Sequence, residues 1–251
     1  WAEELASDGN GILVERVKGK NLTAIYDGLY VARQDGRITR ISAPRKSDLD
    51  GGVCARYSPD RARLLIYGPS FFQIVDARTG RTLVYAEGWL GGVREAVWLD
   101  NHRVVVPADD SLWLVADSST KVPASPWLSH CFPTNCSVRN IACAVSSGDL
   151  YLLVETDYPK QKTCIPPLLY HVRPDKKSCE RVALPFPNSI SRLLSVTDDG
   201  RLLLVTTPTA KSPMWSDSSE LWIMDMKAGK PTLISALANN GLFLHGSTPR
   251  N

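Results

Sequence analysis

Acidic side chains are the first residues in this sequence whose type and placement could support catalysis. Glu95 follows Gly91-Gly92-Val93-Arg94 and precedes an apolar run, so it is expected near the start of a strand. Two carboxylates about 5–9.5 Å apart can hydrolyse a glycosidic bond. Glu95 is therefore the candidate catalytic residue of an alternative in which the protein is a glycoside hydrolase. The competing interpretation is a surface ion pair between Arg94 and Glu95.

Cysteines form the second chemically distinctive set. The candidates for disulfide formation are Cys54, Cys131, Cys136, Cys143, Cys164 and Cys179. An even number, mostly within residues 131–179, predicts disulfides and an oxidising compartment. The Cys164–Cys179 pair is favoured because it would bracket the strand from Ile165 to Arg173 and pin the long loop before that strand. Cys131–Cys136 is the second candidate, and sequence alone leaves the connectivity open.

Zinc is the alternative role for the same sulfur atoms. His130, Cys131, Cys136 and Cys143 are close in sequence. Structural zinc sites favour Cys spacers of about two to four residues and a second ligand pair, which the sequence does not provide. We therefore predict no metal site. Phosphate-binding and dinucleotide fingerprints and the Gly-x-Ser-x-Gly elbow are also missing from the sequence, so we predict no cofactor and no catalytic serine.

The elements that must position these side chains repeat along the chain. A turn followed by a Leu- and Val-rich run recurs at Asp60, Asp100, Gly148 and Asp199, which are 40, 48 and 51 residues apart. A fainter copy surrounds Gly19. Each copy continues through further short strands separated by polar turns, and this period is typical of a four-stranded propeller blade. We predict an all-β protein with a β-propeller fold of five four-stranded antiparallel blades, or six if the terminal strands form one more.

The repeat period also predicts the domain organisation. The whole chain, residues 1–251, is expected to form one domain. Residues 241–245 are expected to form a strand that closes the ring. The predicted blades cover approximately residues 11–42, 53–86, 93–125, 139–185 and 190–235.

Two segments of one repeat resemble a known class of propellers. Tyr57-Ser58-Pro59-Asp60, followed by Phe72-Gln73-Ile74-Val75-Asp76-Ala77-Arg78-Thr79-Gly80, is similar to the blades of TolB/WD40-like β-propellers. The resemblance implies the fold alone, because the class includes protein-binding scaffolds, sugar hydrolases and peptidase gates. In the hydrolase alternative, Glu95 would face the central funnel.

Long loops in the later repeats indicate a binding face. Insertions at 157–162 and 208–216 occupy equivalent positions in adjacent repeats, so we expect them on the same side of the molecule. They carry aromatic and Met side chains, which are enriched at the centres of protein interfaces. The predicted partner-binding residues are Trp89, Trp127, Tyr158, Met214 and Trp215.

Composition limits the class of partner. A net charge of +3 without a concentrated basic face argues against nucleic-acid binding. No apolar run reaches the roughly 18 residues of a transmembrane helix. The first residue, Trp1, and the cysteines together predict a processed, periplasmic or extracellular protein.

The function predicted from these observations is binding without catalysis. We predict a secreted or periplasmic module that engages a protein partner through loops on one face. The partner could be an exported toxin or a secreted enzyme, with this chain as its inhibitor or immunity protein, or the chain could be an assembly scaffold. The glycoside hydrolase is the alternative, and the oligomeric state is open.

Overall fold

A computed structural model of the protein shows β-strands joined by turns. It describes residues 2–5, 11–18, 25–33, 35–42, 54–68, 71–87, 95–108, 110–118, 123, 125–133, 136–144, 146–156, 167–183, 189–197, 199–207 and 218–238. The chain divides into two compact units. The first contains residues 1–108 and 112–127, and the second contains residues 109–111 and 128–251.

The first unit contains three sheets, each made of strands that are consecutive in the chain. The first sheet consists of β1 (Ala2–Leu5), β2 (Gly11–Lys18), β3 (Ile25–Arg33) and β4 (Ile38–Ser42). The second consists of β5 (Cys54–Tyr57), β6 (Arg63–Gly68), β7 (Phe71–Asp76) and β8 (Thr82–Glu87). The third consists of β9 (Val97–Trp98), β10 (Arg103–Ala108) and β11 (Ser111–Ala116).

The second unit contains two four-stranded antiparallel sheets with the same chain order. One consists of β12 (Cys136–Cys143), β13 (Leu150–Thr156), β14 (Leu168–Arg173) and β15 (Ser178–Val182). The other consists of β16 (Ser189–Val196), β17 (Arg201–Thr207), β18 (Ser218–Asp225) and β19 (Lys230–Ala238). The ring-closing strand predicted at 241–245 lies outside the described residues.

Within each unit, consecutive sheets pack through their apolar faces. Leu64, Leu65 and Ile66 in β6 are all fully buried, because both faces of this strand are covered. Leu65 belongs to a core cluster shared with the third sheet, whereas Leu64 and Ile66 belong to a cluster shared with the first. In the second unit, one cluster joins the two sheets, with Leu153 of β13 and Leu204 of β17 among its members. The unbroken apolar runs of β6, β10 and β13 are therefore strands buried on both sides, whereas Leu203 and Val205 of β17 are only half-buried.

The turn between the first two strands of a sheet uses a hydroxyl and a carboxylate two residues apart. The Ser58 hydroxyl donates to Asp60 Oδ1 at 2.6 Å and accepts the Arg63 backbone N–H at 3.0 Å. Thr197 repeats this arrangement, since its hydroxyl donates to Asp199 Oδ1 and accepts the Arg201 N–H. These side chains replace the hydrogen bonds that the backbone loses in the turn.

The turn between the third and fourth strands uses an aspartate. Asp76 Oδ1 accepts the backbone N–H groups of Arg78 at 3.1 Å and Thr79 at 2.7 Å. Asp225 accepts two backbone N–H groups at 2.9 Å in the same way. Gly80 then takes a φ of 71°, in the left-handed region that favours glycine. The segment Asp76-Ala77-Arg78-Thr79-Gly80 therefore fixes the conformation of the turn.

Candidate functional site

Glu95 lies beside the second sheet, and its cationic partner is Arg56 of β5. Arg56 Nη2 lies 3.2 Å from Glu95 Oε2, and the Tyr67 hydroxyl donates to the same oxygen at 3.3 Å. Trp98 Nε1 donates to the Arg56 carbonyl at 3.0 Å, which holds the arginine backbone against β9. Arg94, the partner expected from sequence, lies outside the described residues.

The chemistry around Glu95 suits a fixed ion pair. Burial raises the pKa of Tyr67 well above its usual value, against an opposing effect of Arg56, so the phenol remains a hydrogen-bond donor at neutral pH. The Glu95 side chain is 16% exposed and the Arg56 side chain 42%. A cation and a phenol on one carboxylate oxygen hold the carboxylate in place and offset its charge.

This pairing had a sequence signal in the repeat period. Arg56 and Glu95 are 39 residues apart, Asp60 and Asn101 are 41 apart, and Arg56 and Trp98 are 42 apart. These separations all lie close to the 40-residue repeat found between Asp60 and Asp100. Equivalent positions in consecutive repeats therefore come into contact, and comparing residues one repeat apart would have identified Arg56.

A second carboxylate cluster, in the last sheet, was missed by sequence reasoning. Trp222 Nε1 donates to Thr206 Oγ1 at 3.1 Å and to Glu220 Oε2 at 3.2 Å, and the Thr206 hydroxyl lies 3.3 Å from the same carboxylate oxygen. Thr206 is fully buried. Glu220 and Trp222 are two residues apart in β18 and so share one face of the strand. The spacing of two residues between Glu220 and Trp222 was the sequence signal that could have identified this cluster.

The outer strand of the last sheet exposes adjacent apolar side chains. Leu233 is 46% exposed and Ile234 is 51% exposed. The pairing with β18 shifts register here, because Leu221 pairs with Ser235 whereas Trp222 pairs with Leu233. Ile234 is therefore the extra, unpaired residue of a β-bulge. Lys230 and Thr232 are also exposed. We call Lys230, Thr232, Leu233 and Ile234 the β19 patch.

The predicted disulfides are not supported by the structure. None of the five described cysteines forms a disulfide, so the bond predicted between Cys131 and Cys136 is not formed; they are Cys54, Cys131, Cys136, Cys143 and Cys179. Cys164 lies outside the described residues, and with it the predicted Cys164–Cys179 pair. Cys179 instead contacts Cys131, since the Cys179 thiol donates to the Cys131 carbonyl at 3.2 Å.

Of the predicted partner-binding residues, the structure describes Trp127. Its side chain is half-buried, and its backbone N–H donates to the Leu112 carbonyl at 2.8 Å. Trp89, Tyr158, Met214 and Trp215 lie outside the described residues, so the predicted loop face stays a prediction.

The described residues contain neither a metal-binding cluster nor a membrane-spanning helix. Within the described ranges, no group of three or more His, Cys, Asp or Glu side chains is arranged to hold a metal ion. In the same part of the chain, no helix has the length and apolar character needed to cross a membrane.

Solved structures with similar folds are numerous, although neither a family model nor a curated protein matches the chain. Puromycin hydrolase is 15% identical over 91% of this chain and 36% of its own, with a TM-score of 0.59. The β-propeller domain of the Trilobed protease from Pyrococcus furiosus is 14% identical over 92% of this chain and 68% of its own, with a TM-score of 0.60. A protein assigned as TolB from Agrobacterium tumefaciens is 12% identical over 94% of this chain and 80% of its own, with a TM-score of 0.53.

These similarities concern the fold. The chain is an all-β protein of the β-propeller class, and the predicted resemblance to TolB-like propellers is confirmed at that level. The chain spans only about a third of the length of puromycin hydrolase. The number of blades stays a prediction.

Proposed function

We propose that the protein is a non-catalytic β-propeller module that binds a protein partner. The observation that carries the proposal is the β19 patch, in which the neighbouring residues Leu233 and Ile234 of an outer strand are both exposed at a bulge. Outer strands are ordinarily polar, because exposed apolar edges promote association. The outer strand β15 has this ordinary character, with exposed Glu180 and Arg181. An apolar pair on β19 is therefore a contact surface.

The patch selects a particular kind of partner segment. Lys227, in the turn before β19, and Lys230, its first residue, are exposed. The nearby Asp225 carboxylate accepts backbone N–H groups of the same turn. Pro231 has no N–H and limits pairing with an added strand. Side-chain contacts should therefore dominate, and the best ligand combines apolar residues with neighbouring acidic ones.

Fold similarity supports a role as a binding domain in more than one setting. One similar structure is the propeller domain of a protease, and another belongs to a hydrolase of which this chain spans about a third. A propeller of this size can thus accompany another protein or domain. Within this proposal the partner is an exported toxin or secreted enzyme, or a component of an assembly, and the setting is periplasmic or extracellular.

Peptide display tests the binding proposal directly. Random peptides displayed on phage would be selected on the immobilised protein, and the enriched peptides assayed by biolayer interferometry. We expect apolar-acidic sequences whose affinity falls at least tenfold on Leu233→Lys and Ile234→Lys. The control is Ile38→Lys, which alters another exposed apolar residue, on β4, that is 69% exposed. Equal binding to all three variants would refute the patch as the binding surface.

The hydrolase alternative has its own test. The protein would be assayed with chromogenic glycosides and then compared with Glu95→Gln. We expect no turnover by either protein, because Arg56 and Tyr67 hold Glu95 as a structural pair. Activity in the wild type that Glu95→Gln abolishes would overturn the non-catalytic assignment.

A further inference from the structure

Two cysteines distant in sequence meet in the second unit. Cys179 lies in β15, the outer strand of its sheet, and Cys131 lies in the segment before β12. The Cys179 thiol donates to the Cys131 carbonyl at 3.2 Å. The Cys179 sulfur atom therefore lies directly against residue 131.

The segment that carries Cys131 is held on both sides of this residue. The Cys131 backbone N–H donates to the Asp110 carbonyl at 3.0 Å, and His130 Nδ1 lies 2.8 Å from Asp110 Oδ2. His130 has a φ of 55°, a left-handed conformation that surrounding contacts must support. After Cys131, the Phe132 ring packs edge-on against the Tyr170 ring, with the ring centroids 6.3 Å apart. The cysteine is thus presented to β15 by fixed neighbours.

Strand register excludes another described cysteine as the partner of Cys179. Cys143, Leu150, Val172 and Cys179 lie in one row across the four strands, so Cys143 and Cys179 occupy opposite edges of the sheet. Three strand spacings separate these edges by about 14 Å, whereas a disulfide requires Cα atoms within about 7 Å. Cys136, at the start of β12, is on the same distant edge.

The environment also differentiates the two thiols. The hydrogen bond from Cys179 lowers the pKa of Cys131, and the same contact raises the pKa of Cys179. Cys131 is therefore the better thiolate and the expected first nucleophile.

We propose that Cys131 and Cys179 form an oxidative modification site that closes to an intramolecular disulfide. The oxidant is a low-molecular-weight disulfide such as oxidised glutathione. The Cys131 thiolate attacks one sulfur of the oxidant, forming a mixed disulfide and releasing one thiolate. Cys179 then loses its proton and attacks the Cys131 sulfur, releasing the second. The protein loses two protons and two electrons, and the oxidant becomes two thiols.

The new bond would fasten the segment around Cys131 to the outer edge of β15. The two residues are 48 positions apart, so the bond closes a long loop and restricts the unfolded chain strongly. For a chain of this size we expect the melting temperature of the oxidised protein to exceed that of the reduced protein by roughly 10 °C. This site is independent of the proposed binding function.

Peptide mapping identifies the pair. The protein would be incubated with oxidised glutathione, blocked with N-ethylmaleimide and digested with trypsin without reduction. We expect peptide 178–181 linked to peptide 122–139, which contains both Cys131 and Cys136. Cys136→Ser is the matched control and should retain the link, whereas Cys131→Ser and Cys179→Ser should each abolish it.

Other outcomes would overturn the assignment. Peptide 178–181 linked to peptide 163–176 would assign Cys179 to Cys164 instead. If peptides 178–181 and 122–139 remain linked in Cys131→Ser, Cys179 pairs with Cys136 instead. Recovery of all six cysteines as blocked thiols from the oxidised wild type would exclude disulfide formation, and this measurement does not depend on any variant folding.

Discussion

At the scale of single residues, Glu95 shows what residue type can and cannot predict. Its position before a strand was apparent from the apolar run that follows it. Its partner was not, because Arg56 is 39 residues away and only the packing of consecutive sheets brings the two together. Residue type alone leaves the role of a carboxylate open, and the described neighbours of Glu95 include a guanidinium and a buried phenol.

Replacing Glu95 with glutamine should weaken the first unit. Glu95→Gln removes the charge but keeps the shape, and leaves Arg56 without its described ionic partner. We expect the free energy of unfolding to fall by about 1 kcal/mol, a modest value because Arg56 is nearly half exposed. Urea denaturation of Glu95→Gln, Arg56→Gln and the double variant measures the coupling between the two side chains.

The exposed pair of Asp35 and Arg37, with side chains 49% and 77% exposed, provides the comparison. Asp35→Asn should not change the urea midpoint measurably. Additive effects of the two single substitutions at Arg56 and Glu95 would contradict the pairing.

At the scale of elements, the repeat predicted turns and strands well because both depend on local chemistry. Turns at Asp60, Asp100, Gly148 and Asp199 all separate the first two strands of a sheet, as expected. The β19 patch could not be predicted in this way. Leu233 and Ile234 lie where β19 shifts register against β18, and register depends on pairing rather than on the pattern of one strand.

The turn at Gly80 should be more sensitive to substitution than its counterpart at Gly229. Both glycines have positive φ, of 71° and 63°. A Cβ at Gly80 would lie 2.7 Å from the Ile41 carbonyl oxygen, whereas the structure describes no atom within 4 Å of a Cβ at Gly229. We expect Gly229→Ala to cost about 1 kcal/mol and Gly80→Ala about 2–3 kcal/mol. Thermal and urea denaturation compare the two, and equal costs would show that the contact with Ile41 is unimportant.

At the scale of the whole molecule, the fold class could be predicted because a fixed repeat is a property of the entire chain. Five described sheets follow one another in the order of the repeats. The function could not be predicted as firmly, because similar folds occur in proteins as different as a hydrolase and a TolB. Binding depends on a few exposed side chains, and their exposure is decided by packing.

Acid should destabilise the protein through its turns. Hydrogen bonds from Thr79 lower the pKa of Asp76, those from Ser111 lower the pKa of Asp110, and those from Thr197 lower the pKa of Asp199. A carboxyl whose pKa is lower in the folded state stabilises the fold at any pH above its pKa in the unfolded chain, which is about 4. This stabilisation is lost as the pH falls through the pKa of the folded state. We therefore expect the urea midpoint to decrease between pH 6 and pH 3.

The carboxylates responsible can be tested together. In the variant that combines Asp76→Asn with Asp199→Asn, the urea midpoint should depend less on pH over this range. A wild-type midpoint that is the same at pH 6 and pH 3 would show that these turns do not contribute.

Every described sheet is complete once its own consecutive strands are present, and this order has a consequence for synthesis. As the chain leaves the ribosome, each sheet can form before the next one is translated, and within each unit its exposed apolar face then remains uncovered for only about one repeat, until the following sheet forms. The nascent chain is thus expected to gain structure stepwise from its amino terminus. A translational pause between repeats would interrupt folding at a boundary between sheets, where fewer unpaired strands are exposed than within a sheet.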